Sequence, residues 1–242
     1  FLAIFLAFFF IQLNTINTTS NENKILEEYI TNLQTGSGII PSLCPDSALS
    51  YSKKYNIEFD QFFPLGSIPN GKIKSSNFQG IKHIINLDKY GFRNSNNIWK
   101  SKNINTVYFG DSIVFSSSIN DGELFTDIIN SDQETAANLG CGGNGLYNSL
   151  ALAEEVLNSY KVDNLVFFIN LQNDLTKDIA REANSGLYDK YINNKEFKSI
   201  FQNQEDYEKN IKNFMTKVLE HEKRNNKETS NIKALINYKN FI

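Results

Sequence analysis

Three short apolar runs fix the architecture this chain is able to adopt. Residues 106–109 (TVYF), 135–139 (TAANL) and 165–169 (LVFFI) each run into a turn built from glycine, asparagine or aspartate. Short, nearly continuous apolar strands of this kind belong to parallel sheets covered on both faces. Between the second and third runs, residues 146–160 place Leu146, Leu150, Ala153 and Leu157 on one helical face, so the three pieces read as a βαβ unit. The spacing therefore predicts an α/β domain with a parallel sheet. Only three such strands are legible before Ile242, and three leave an open edge and a small core. The domain is expected to be incomplete at its C-terminal end.

The rest of the chain divides by composition. Residues 1–13 (FLAIFLAFFFIQL) are uncharged and rich in aromatics, a composition that suits lipid better than a shared interior. They are expected to be helical, to stay out of the α/β core, and to serve as a signal segment or, preferably, an uncleaved anchor. Residues 14–24 follow as a polar linker, and residues 25–33 carry apolar side chains at helical spacing. Prolines and glycines punctuate residues 35–101, which read as an irregular lead-in containing a turn at Pro69-Asn70-Gly71. Residues 207–222 carry Ile211, Phe214, Met215 and Val218 at helical spacing. The expected division is a hydrophobic segment over 1–20, a lead-in over 21–102 and the main domain over 103–242.

Charge and cysteine content narrow the function. The net charge is −3, with acidic and basic residues mixed along the chain, so no basic face marks a nucleic-acid binder. Cys44 and Cys141 are too few for a disulfide framework, and no CxxC pair points to zinc. They are expected to be two free or buried thiols.

Open α/β sheets bind ligands outside the carboxyl ends of their strands. The turns expected at that edge are Gly110-Asp111-Ser112, Asn138-Leu139-Gly140-Cys141-Gly142-Gly143 and Gln172-Asn173-Asp174. Tyr108-Phe109-Gly110-Asp111-Ser112-Ile113 resembles the first signature block of the SGNH/GDSL serine hydrolases. Asn138 to Gly143 is similar to the second block and Asn173-Asp174 to the third, although Leu171 stands where that block normally has glycine. Upstream, Asp88-Lys89-Tyr90-Gly91-Phe92-Arg93-Asn94 resembles a lead-in found in a membrane-associated bacterial branch of the family. The resemblance implies a three-layer, flavodoxin-like α/β fold, with Ser112 as nucleophile and Gly143 and Asn173 as oxyanion donors. It implies no metal or organic cofactor.

Each assignment has a chemical reason. A serine hydroxyl is a weak nucleophile and needs exposure at a tight turn beside a base. A glycine at 143 lets the backbone approach a substrate closely, and fixed N–H donors stabilise the oxyanion as its charge develops. Taken singly, the blocks are an ordinary turn, a strand-to-helix loop and a helix cap; their order after three strands is what favours a site. The family's base lies in an Asp-x-x-His block, which neither His83 nor His221 matches, so the base is expected outside these residues and this chain is expected to be poorly active. Gly140-x-Gly142-x-x-Gly145 also fits a dinucleotide fingerprint, but the acidic residue required after the next strand is missing. The resemblance thus implies a membrane-anchored or secreted extracytoplasmic enzyme acting on small-molecule or glycan esters. The alternative is a degenerate domain that binds envelope glycan or an assembly partner without catalysis.

Overall fold

The computed structural model describes residues 22–76, 79–131, 135–193 and 196–239. They form two compact units, one from residues 38–214 and a smaller one from the two ends of the chain. The smaller unit contains a helix over 22–35 (α1) and the later part of the long helix Gln204–Lys239 (α8). Lys223 pairs with Glu27 at 2.6 Å there, and Leu33, Val218 and Leu219 are buried. The hydrophobic stretch 1–13 lies outside the described residues, and among those residues no helix is long and apolar enough to cross a membrane.

The larger unit is mixed α/β around a parallel sheet of β3 (Asn103–Phe109), β4 (Ala136–Asn138) and β5 (Lys161–Phe167). The order is β4-β3-β5, with Val107 beside Ala137 on one side and Leu165 on the other. The first strand in sequence is therefore central. Ile104, Val107 and Phe109 of β3 and Ala136 and Ala137 of β4 have no exposed surface. The most apolar run behaves differently from the sequence expectation. It was expected to be covered on both faces, yet β5 is an edge strand with largely half-exposed or exposed residues. It also begins earlier, at Lys161, and leaves Phe168 and Ile169 beyond its end, 44% and 43% exposed. Strand propensity located the element; its single neighbour decided its burial.

Helix α5 (Leu146–Ser159) crosses from β4 to β5, but of the face expected to be buried only Ala153 is. Leu150 and Leu157 point outward, while Asn148, Ser149, Leu152, Glu155 and Val156 are buried. The polar residues can face inward because each finds a partner. Asn148 Nδ2 donates to the Tyr188 hydroxyl (3.1 Å), and Glu155 accepts from Tyr191 and from Ser199 (2.5 Å). Those partners lie on or after α7 (Leu187–Ile192), which apolar periodicity does not reveal.

The lead-in is more regular than its punctuation predicts. It holds α2 (Pro45–Tyr55) and an antiparallel hairpin of β1 (Lys72–Ser76) and β2 (Lys82–Asn86). Pro45 suits a first helical turn, where its missing N–H is not needed. The strands are short and polar, burying only Ile73 and Ile85, which is why no apolar run announces them. The expected turn is present: Gly71 N–H donates to the Ile68 carbonyl at 3.2 Å. The cysteines correct the expectation of two thiols. Cys44, at the start of α2, is disulfide-bonded to Cys141 across 97 residues.

Candidate functional site

The turn after β3 presents Ser112 to solvent at the first position of a short helix, α3 (Ser112–Phe115). Buried Asp111 caps it, its Oδ1 accepting the Ile113 N–H at 2.9 Å. The other end is held by Arg93, 1% exposed, whose Nη1 donates to the carbonyls of Phe115 (3.1 Å) and Ser116 (2.6 Å). Its Nη2 donates to the Ile119 carbonyl (2.9 Å) and to Asp121 (2.7 Å). One guanidinium thus terminates the serine-bearing helix and the loop after it.

The remaining members of the 88–94 segment explain their own spacing. Asp88 is buried, and its Oδ1 accepts the N–H groups of Tyr90 and Phe92, each at 2.9 Å. Its Oδ2 accepts from Asn94 Nδ2 (2.9 Å) and Trp99 Nε1 (2.8 Å). Gly91 sits at φ +89°, where a Cβ would overlap the Ser67 carbonyl. Asn94 pairs reciprocally with the Asn138 backbone, donating to its carbonyl (2.9 Å) and accepting its N–H (2.7 Å). Asn138 in turn donates from Nδ2 to the Val114 carbonyl (2.7 Å) and accepts the Gly140 N–H (2.9 Å). Asn138 therefore joins the loop after β4 to the helix of Ser112.

The three turns meet at the carboxyl edge of the sheet. Asn173 Nδ2 lies 3.4 Å from Asp111 Oδ2, beside Ser112, and donates to Asp178 Oδ2 at 2.8 Å. Gly143, at φ +75°, lies under the Asp46 side chain of α2, which would crowd a Cβ at 3.0 Å. Its carbonyl accepts from Arg181 Nη2 at 2.5 Å, and Arg181 also pairs with Asp178 (2.7 Å) and Asp46 (2.8 Å). The structure thus brings Asp111 and Asn173 together and connects Gly143 to them through Arg181. Ile113 (59%), Phe168 (44%) and Leu171 (72%) are exposed, which leaves apolar surface on the turns that follow β3 and β5.

Sequence reasoning missed Asp46, Asp178 and Arg181, because no spacing relates α2 to the helix α6 (Ile179–Ser185). It also missed Glu182, whose buried carboxylate accepts the N–H groups of Gly145 (2.8 Å), Tyr147 (2.9 Å) and Asn148 (3.4 Å). This fills the start of α5, where a dinucleotide phosphate would bind. His83, in the larger unit, lies on β2 with both ring nitrogens buried and without a hydrogen-bond partner, and His221 belongs to the smaller unit. Among the described residues no group of His, Cys, Asp or Glu is arranged to hold a metal ion.

Burial raises three carboxyls. It pushes Asp88 from 3.8 up to about 6, against the hydrogen bonds it accepts. It pushes Glu182 from 4.5 up to about 7, again against its backbone donors and Arg181. Asp174 is raised by burial and by the Asp111 and Asp178 carboxylates, with the Asn170 N–H opposing. Groups that hold protons more tightly when folded add stability below their unfolded values, and that stability is lost as pH rises through the folded ones. The melting temperature is therefore expected to fall between about pH 4 and about pH 7. Thermal melts followed by Trp99 fluorescence test this; a flat profile would show that the hydrogen bonds offset burial.

Compared with known proteins, the chain matches no family model, no curated protein and no solved structure.

Proposed function

We propose that the larger unit is an SGNH-type serine hydrolase domain acting on ester bonds, as an esterase, deacylase or acyltransferase. Ser112 is the nucleophile. Its Oγ attacks the ester carbonyl carbon, its proton passes to a base, and the alcohol leaves to give an acyl-serine. Water or a second alcohol then takes the acyl group. Gly143 N–H and the Asn173 amide are the oxyanion donors. The single observation that carries the reading is the meeting of three turns at one sheet edge, with Asn173 Nδ2 3.4 Å from the residue that precedes Ser112. The strand order supports it as well, because first-strand-central is how the flavodoxin-like order 2-1-3-4-5 begins. The disulfide suits an oxidising, extracytoplasmic location, the one expected of an anchored or secreted enzyme.

A second reading, binding of glycan or a partner without catalysis, draws on the histidines. His83 has no partner for either ring nitrogen, and both Asn173 Nδ2 contacts are with carboxylates. A fluorophosphonate probe separates the two. The hydrolase reading expects slow labelling at Ser112, none after Ser112→Ala, and acceleration by added imidazole as an external base, since triad members act as a unit. Labelling that persists in Ser112→Ala, or folded protein that stays unlabelled even with imidazole, selects the binding reading.

A further inference from the structure

We infer that Arg181 is the positioning residue that holds the two candidate oxyanion donors, Gly143 and Asn173, in one frame; which groups it positions rests on the hydrolase reading. Its three nitrogens reach three different segments. Nη2 donates to the Gly143 carbonyl at 2.5 Å. Nη1 donates to Asp178 Oδ1 at 2.7 Å, and the other oxygen of that carboxylate accepts from Asn173 Nδ2 at 2.8 Å. Nε faces Asp46 Oδ1 at 2.8 Å, an ion pair without an aligned hydrogen bond. A polar path therefore runs from the Gly143 carbonyl through Arg181, Asp178 and Asn173 to Asp111, the residue before Ser112.

Two physical needs meet in this side chain. Glycine-rich backbone has the most conformational freedom to lose, and the loop Gly140-Cys141-Gly142-Gly143-Asn144-Gly145 must be fixed from outside if an N–H in it is to keep one direction. The peptide group is planar, so holding the carbonyl of Gly143 fixes the plane it shares with the Asn144 N–H, which donates to the Cys141 carbonyl at 3.1 Å, and anchors the loop on the C-terminal side of Gly143. Asp178, 5% exposed, also needs a cation, because Asp174 stands near it, Asp111 shares the Asn173 amide with it, and a buried carboxylate without one is costly. Arginine answers both with a planar fork whose donors keep fixed directions; lysine would present one point charge. Arg181 stays off the reacting atoms and positions the groups that meet them.

Hydrogen exchange read by mass spectrometry tests the clamp without requiring any activity. In Arg181→Gln, amides of residues 139–146 and of residues 170–178 are expected to exchange faster together, with Arg181→Lys intermediate. Asp46→Asn, which loosens one arm at a partly exposed position, is expected to speed exchange in 139–146 and spare 170–178; it also serves if Arg181→Gln fails to fold. Unchanged exchange in 139–146 in these variants overturns the proposal. Turnover of p-nitrophenyl acetate with imidazole, taken as the rate above the same imidazole without protein, is the second readout. Arg181→Gln is expected to lower kcat by roughly 10- to 100-fold with KM unchanged, and Arg181→Lys to recover part of it. Full kcat in Arg181→Gln, with turnover that depends on Ser112, overturns the positioning role. If Ser112→Ala leaves turnover unchanged, the hydrolase reading falls, and the exchange data still decide the clamp.

Discussion

Replacing Cys44 and Cys141 together by alanine is expected to lower the unfolding free energy by about 4 to 5 kcal/mol, the chain-entropy value for a loop near one hundred residues. The bridge closes 97 residues, so without it the unfolded chain regains the freedom of most of the lead-in, β3 and β4. Both cysteines are buried, so their replacement also removes packed volume. For a domain of this size the loss corresponds to a fall in melting temperature on the order of 10 to 20 °C. A dithiol reductant should reproduce most of that fall in the wild-type chain and do nothing to the double variant. The loss should also be local, because Cys141 lies two residues before Gly143 and Cys44 two before Asp46. The disulfide thus ties the start of α2 to the loop of Gly143 directly, and the Arg181–Asp46 ion pair does so through the Arg181 bond to the Gly143 carbonyl. A melting temperature unchanged within about 2 °C would mean that the packing of α2 alone supplies the constraint.

What the sequence discloses about this fold follows from range. Strand ends and the turns behind them are local: Gly110, Gly140 and Asn170 stop apolar runs, and the structure shows strands ending shortly before each. The candidate residues were legible for the same reason, since Ser112 and Gly143 sit at fixed offsets from those stops. Pairings were not legible. Nothing in a count of two cysteines says that α2 lies against the loop after β4, and without that proximity two isolated thiols were the simpler reading. The face of α5 failed similarly. Its apolar spacing favoured Leu150 and Leu157, but Asn148 and Glu155 turn inward because Tyr188, Tyr191 and Ser199 arrive from some forty residues downstream. The hairpin escaped because its strands bury one face of two residues, too little to produce an apolar run.

Long-range satisfaction of buried charge also decides the last expectation. Arg93→Met is expected to destabilise the protein by about 3 to 5 kcal/mol, the range for breaking a buried charged network from one side. Methionine fills much of the volume, so the loss comes from the acceptors left behind: the carbonyls of Phe115, Ser116 and Ile119, and Asp121. Three of the four are backbone groups at the end of α3 and in the loop beyond it. Their loss should therefore unfasten the segment that begins with Ser112, which the β1–β2 hairpin also grips through Ser75 to the Ser117 carbonyl (2.7 Å) and Asn86 to Asp121 (2.9 Å). Asp121→Asn is the control. That side chain is 35% exposed, and the guanidinium keeps its three carbonyl partners, so the cost should stay under about 1 kcal/mol, as for an exposed ion pair. Urea denaturation of both variants, with hydrogen exchange of residues 111–121, measures the two effects. Equal losses in Arg93→Met and Asp121→Asn would show that the ion pair, and not the row of carbonyls, is what Arg93 is buried to reach.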